Sequence, residues 1–211
     1  MKRRRRTQIV WSALLGSMTG VGGLLFALDR TGGGRIDGLV LPALVAPAGP
    51  ASVEAVFSTR APLEKSRWRS VVIHHSGSVA GTPANLEARA KADGLKGLGY
   101  HFVIGNGRGI EDGELHVGYR WLDQLAGAHA AGKDADWYNL NSIGICLIGN
   151  GNREEFTPAQ LRRLSQLLAA LSRELGIPSG NIVLHGDIAP TSDPGMLFPR
   201  ASFREQFPAT R

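Results

Sequence analysis

A single cysteine, Cys146, stands among the 211 residues of this chain, so no internal disulfide can hold the fold together. Its neighbours Ile145 and Leu147 mark it as a small side chain in a buried strand. Charge is scarce outside one place: five of the 24 Lys and Arg fill residues 2–6, KRRRR, which leaves 19 basic against 18 acidic residues elsewhere. A nucleic-acid binder spreads Lys and Arg over a folded face, so this distribution argues against such a partner. Internal repeats and fibrous periodicities are missing too. With 43% hydrophobic and 20% charged residues, the composition is that of an ordinary globular protein.

What the chain does have, directly after the basic head, is an uncharged run of 20 residues from Ile9 to Leu28. That length crosses a hydrocarbon core of about 30 Å as one helix. Basic residues before it and Asp29 after it predict a signal anchor in the inner membrane, with the remainder on the periplasmic side. A cleaved leader is the alternative; its apolar region is shorter, and FALDR is a poor cleavage site, although Ala46-Pro47-Ala48 has the small-x-small form. Residues 29–61 are rich in Gly, Ala and Pro without sustained periodicity, which predicts a linker and a folded domain over 62–211.

Within that domain, apolar runs at 69–74, 100–105, 142–148 and 181–184 read as strands. The clearest helix covers 157–175. Thr157 is its N-cap, Pro158 its first residue and Gln160 the partner in a capping box, with Leu161, Leu164, Leu168, Leu171 and Leu175 on one face. Gly176 and Pro178 end it. Thr82-Pro83 opens a second helix over 83–93. Strands alternating with helices predict an α/β domain, a central mixed β-sheet flanked by helices, behind the N-terminal transmembrane helix.

Six histidines occur, His74, His75, His101, His116, His129 and His185. Taken singly, each is most simply a hydrogen-bonded structural residue, and three-ligand patterns also arise by chance. Two of them, however, close apolar runs: Val71-Val72-Ile73 leads to His74, and Ile182-Val183-Leu184 leads to His185. Asp193 follows eight residues after His185. Two imidazoles and a carboxylate make a three-ligand zinc set that leaves the fourth position open to water. A serine hydrolase built on Ser76 or Ser78 fits less well, because HHSGS lacks the G-x-S-x-G elbow and adjacent strand residues face opposite ways.

The stretches VVIHHSG, GYHFVIGNGRG, GAHA, NSIGICLIGN and LHGDIAPTSDPG follow one another over residues 68–198. Together they resemble the zinc amidase family of N-acetylmuramoyl-L-alanine amidases, phage amidase-type lysozymes and peptidoglycan recognition proteins. The resemblance implies one Zn2+, peptidoglycan or muropeptides as partner, and hydrolysis of the amide between N-acetylmuramic acid and L-alanine; a binding module that does not cut is the alternative. Carried over by position, it implies His74, His185 and Asp193 as metal ligands, with His75 turned to the other face of its strand. It further implies Tyr100 and Thr191 as groups acting near the developing oxyanion, and His129 as a substrate contact. Two departures stand out. Cys146 occupies the place of a catalytic Glu in the anhydro-muropeptide branch, and the turn between His185 and Asp193 is shorter and lacks a Lys. The Asp ligand thus resembles one branch, while Tyr100, Thr191 and the short turn resemble the phage-type branch.

Overall fold

The computed structural model describes residues 38–41 and 51–208. The expected membrane helix over Ile9–Leu28 lies outside the described residues. Among the described residues, no helix is long and apolar enough to cross a membrane.

Six strands form one sheet: β1 (Gly38–Leu41), β2 (Ser70–His75), β3 (Phe102–Ile104), β4 (Leu115–Gly118), β5 (Ser142–Leu147) and β6 (Ile182–Leu184). Their order is β1-β4-β3-β5-β2-β6. The pairs β2–β5, β2–β6 and β3–β5 are parallel, whereas β1–β4 and β3–β4 are antiparallel, so the sheet is mixed as expected. The described helices are α1 (Ala51–Glu54), α2 (Pro83–Ala92), α3 (Tyr119–Leu122), α4 (Ala135–Asn141), α5 (Pro158–Leu175), α6 (His185–Ile188) and α7 (Arg200–Gln206).

Strand alternation divides the core. Val71 and Ile73 of β2, with Ile143, Ile145 and Leu147 of β5, join Leu164, Leu167, Leu168 and Leu171 of α5 in the main cluster. Val103, Cys146 and Ile148 form a smaller cluster on the other side, where Leu86 of α2 and Tyr100 pack. Cys146 is fully buried, in the role its neighbours predicted. The α5 N-terminus has the expected reciprocal cap: Gln160 N–H donates to Thr157 Oγ1 at 3.0 Å, and Thr157 N–H donates to Gln160 Oε1 at 3.2 Å. The Gln160 amide nitrogen also donates to the Ile104 and Ile148 carbonyls, which fastens the helix to the ends of β3 and β5. At the other end, Gly176 takes φ +68°, the left-handed conformation that stops a helix cheaply only at glycine.

The linker expected over 29–61 is not free along its whole length. Residues Gly38–Leu41 pair with β4, and α1 together with the 3₁₀ turn Ala55–Phe57 brings Val53 and Val56 into the main cluster. Trp121 Nε1 donates to the Val56 carbonyl at 2.6 Å. These anchors are one turn or four residues long, too short to leave a periodicity in a Gly/Ala/Pro-rich composition. A fragment starting at residue 62 would lose both valines from the core.

A candidate metal centre at the ends of two parallel strands

The parallel register pairs Ile73 of β2 with Leu184 of β6, so the next residue on each chain, His74 and His185, emerges side by side. Their ring centroids are 4.5 Å apart. His74 is still a strand residue, but the chain turns directly after Leu184 and His185 opens the short helix α6. The loop then doubles back: Gly186 N–H donates to the Asp193 carbonyl at 2.7 Å, and Asp193 N–H donates to Thr191 Oγ1 at 3.2 Å. This closed turn returns the Asp193 carboxylate to the two rings.

Asp193 Oδ2 lies 3.0 Å from His74 Nδ1 and 2.8 Å from His185 Nδ1, and Oδ1 accepts the His75 N–H at 2.6 Å. One ligand atom from each of His74, His185 and Asp193 lies within 4.8 Å of the others. The contacts to Oδ2 are close to the roughly 3.3 Å that separates donors held about 2.0–2.1 Å from a tetrahedral zinc. Burial alone would raise Asp193, but the hydrogen bonds from His185, His74 and the His75 N–H outweigh it and hold the carboxyl well below the usual carboxylate range. His74 is lowered, chiefly by burial and against the pull of Asp193. A permanent anion beside two imidazole rings is the donor chemistry a divalent cation requires. His75, next along the strand, accepts the Gly151 N–H on its Nδ1 at 3.1 Å, while its Nε2 lies 3.9 Å from Asp193 Oδ1 and the residue borders the cavity described below.

The loop bearing Asp193 is fastened to the loop leaving β5. Leu197 N–H donates to the Gly151 carbonyl at 2.7 Å, and Asn152 Nδ2 donates to Ser192 Oγ at 2.8 Å. The backbones at Gly151 and Gly195 touch so closely that a Cβ on either residue would collide with the other strand of the joint.

Beside His185 and Asp193 opens a cavity of about 390 Å³; His74 lies buried behind them. Tyr100 and Thr191 line it together with His185 and Asp193. The Tyr100 ring is 5.3 Å from that of His74. Burial, then the neighbouring Cys146 thiol and Asp193 carboxylate, push the phenol well above its ordinary range, so the hydroxyl stays a neutral donor. The exposed Thr191 hydroxyl spends a lone pair on the Asp193 N–H and keeps its hydrogen to donate. His129 also borders the cavity, but both its ring nitrogens are engaged inward: Nδ1 lies 3.1 Å from His74 Nε2, and Nε2 lies 3.3 Å from the Ser142 carbonyl. Burial lowers His129 well below the usual histidine range.

Two wall residues escaped the sequence reading. Arg89 and Asp93, from the end of α2 and its C-cap, also line the cavity. Their i, i+4 spacing places them on one helical face, a signal present in the sequence but unreadable until the sheet fixes which face points inward.

Known proteins resemble this chain in sequence and in fold. The family model described as N-acetylmuramoyl-L-alanine amidase (Amidase_2) matches residues 64–196. The endolysin of Enterobacteria phage T3 is 38% identical over 111 residues, which cover 49% of this chain and 63% of that protein. Peptidoglycan-recognition protein SC2 of Drosophila melanogaster is 34% identical over 134 residues, covering 59% of this chain and 66% of that one. The chain thus spans slightly less than two thirds of these relatives' lengths. Among solved structures, the endolysin N-acetylmuramoyl-L-alanine amidase LysCS from Clostridium intestinale URNW superposes with a TM-score of 0.57 at 27% identity, over 72% of this chain and 91% of that one. With the family model covering more than half of its length, the chain belongs to the N-acetylmuramoyl-L-alanine amidase family.

Proposed function

We propose that this protein is a zinc-dependent peptidoglycan amidase that hydrolyses the bond between N-acetylmuramic acid and L-alanine. The observation that carries the reading is the convergence of His74 Nδ1 and His185 Nδ1 on one oxygen of an ionised Asp193 that, with His185, borders a cavity, in a chain of this family. His74, His185 and Asp193 would hold the ion. When bound, zinc supplies Lewis acidity and lowers the pKa of water to about 7, which provides a nucleophile at neutral pH. Water adds to the lactyl carbonyl, the C–N bond breaks, and the products are a muramyl carboxylate and a stem peptide with a free L-alanine amine. Tyr100 and Thr191 offer neutral hydroxyl donors on the cavity wall where the carbonyl oxygen gains negative charge.

The test is digestion of purified peptidoglycan by the full chain, with products identified by mass. Stem peptides beginning with a free alanine amine, lost on chelation and restored by zinc, are the expected result. Wall binding without product at any zinc level would instead support a binding module. In the same assay, Tyr100→Phe is expected to lower kcat about 100-fold with KM little changed, the effect of removing one oxyanion donor. Full activity in that variant would remove the hydroxyl from the reaction.

The uncharged run Ile9–Leu28 behind KRRRR supports a further element of the proposal, a single-pass tether to the inner membrane with the amidase domain outside it. Such a protein stays with the membrane fraction after an alkaline carbonate wash; release into the supernatant would refute the tether.

A further inference from the structure

Resting on the zinc reading above, we infer that His129 is a positioning residue: it fixes the tautomer of His74 so that Nδ1 presents a lone pair to the metal. The Ser142 carbonyl only accepts, so the ring nitrogen 3.3 Å from it, His129 Nε2, carries a hydrogen. His129 is 8% exposed, sits 5.0 Å from the His74 ring and 5.8 Å from the His101 ring between centroids, and forms no ion pair with a carboxylate among the described residues. When His74 gives Nδ1 to the metal, its Nε2 carries the ring hydrogen and faces His129 Nδ1. His129 Nδ1 is therefore an acceptor, and the hydrogen in its 3.1 Å contact belongs to His74 Nε2. A neutral His74 with hydrogen on Nε2 has its lone pair on Nδ1, which faces Asp193 Oδ2 at 3.0 Å. Between these two atoms lies either a proton, as in the hydrogen bond of the zinc-free chain, or the metal that replaces it. The relay from Ser142 through His129 thus keeps Nε2 engaged and leaves Nδ1 as the ring nitrogen of His74 that can be given to the metal.

The position of the His129 ring is itself built. It packs over Gly127 and Gly144, where a Cβ on either glycine would collide with its Cδ2. Asn139 of α4 holds the loop from below: its Oδ1 accepts the N–H groups of His129 and Ala130 at 2.8 and 2.9 Å, and its Nδ2 donates to the Ala130 carbonyl at 3.1 Å. The two glycines and the asparagine place a ring that never reaches the metal.

Outer partners of metal-bound histidines typically alter metal affinity 10–100-fold. The experiment is zinc titration of the full chain against a chromogenic chelator. His129→Ala is expected to weaken zinc binding by about 10–100-fold. His129→Asn places a carbonyl oxygen where Nδ1 was and should restore most of that loss, a rescue that a packing role alone would not give. Nitrogen-15 NMR of the zinc-loaded chain adds a direct readout, with His129 hydrogen on Nε2 and not on Nδ1. Equal zinc affinity in His129→Ala and the wild type, or hydrogen on His129 Nδ1, overturns the relay. Failure of the wild type itself to bind zinc overturns the amidase reading instead, so the two outcomes are distinct.

Discussion

Asp193→Ala is expected to lower zinc affinity by more than about 100-fold, the upper end of what loss of a mere outer partner costs, and amide hydrolysis should fall with it. The residue performs two separable tasks. Its charge faces both imidazoles, and its second oxygen accepts the His75 N–H. Truncation leaves two imidazole rings without an anion and a backbone N–H without an acceptor; the orphaned N–H alone costs about 1–3 kcal/mol. For a chain of this size that corresponds to a fall in Tm of about 2–12 °C. Asp193→Asn separates the tasks, since its carbonyl oxygen can still serve the His75 N–H while the charge is gone. The expected pattern is recovered Tm and unrecovered zinc affinity, read by thermal unfolding of the zinc-free protein and by chelator competition. Zinc binding in the asparagine variant as tight as in the wild type would show that the carboxylate is not a ligand.

The second large effect concerns acid. Zinc-free protein should lose several kcal/mol of stability between pH 6.5 and 4, above the range in which most carboxylates titrate. Burial lowers His101 to about 3 and His116 to about 4. A group whose folded pKa lies below its unfolded value takes up its proton more readily in the unfolded chain. Its contribution is intact above about pH 6.5 and drains away as pH falls towards the folded value. At roughly 1.4 kcal/mol per pH unit, each of these two residues removes on the order of 3 kcal/mol by pH 4. Against a total of about 5–15 kcal/mol, that is enough to bring the fold close to its midpoint. His101 is held neutral by geometry as well: Nδ1 accepts the Gly144 N–H at 2.9 Å, and Nε2 donates to the Leu125 carbonyl at 3.1 Å. Urea unfolding at pH 7, 5.5 and 4 measures the slope, and His101→Asn should flatten it. A stability that stays level from pH 6.5 to 4 would contradict the buried neutral histidines.

Much of this site is written locally. The α5 cap, its leucine face and its terminating glycine follow from spacing that any isolated helix would show, and the structure has all three. Two of the three proposed metal ligands, His74 and His185, were legible because each sits where an apolar run stops, and parallel registry then brings the two stops together. Other features are settled only by tertiary context. Four residues, Leu115–Gly118, interrupted by His116, give too short a pattern to read as β4, and its place between β1 and β3 supplies what propensity does not. Val53 and Val56 become core only because Trp121 receives them. His129 illustrates the limit most clearly. The motif GAHA drew attention to it, but nothing along the chain tells that Gly144, distant in sequence, would make room for its ring, or that the Ser142 carbonyl would decide which nitrogen bears hydrogen.

The joint between Gly151 and Gly195 carries a consequence for how such a loop can drift over generations. Its closeness is main chain against main chain, so the neighbouring side chains are released from constraint: Met196 is 81% exposed and Leu197 43%. Substitutions there should pass almost unnoticed, whereas one added carbon at either glycine levers the Asp193 carboxylate off its mark without touching either imidazole. Tolerance and intolerance lie one residue apart.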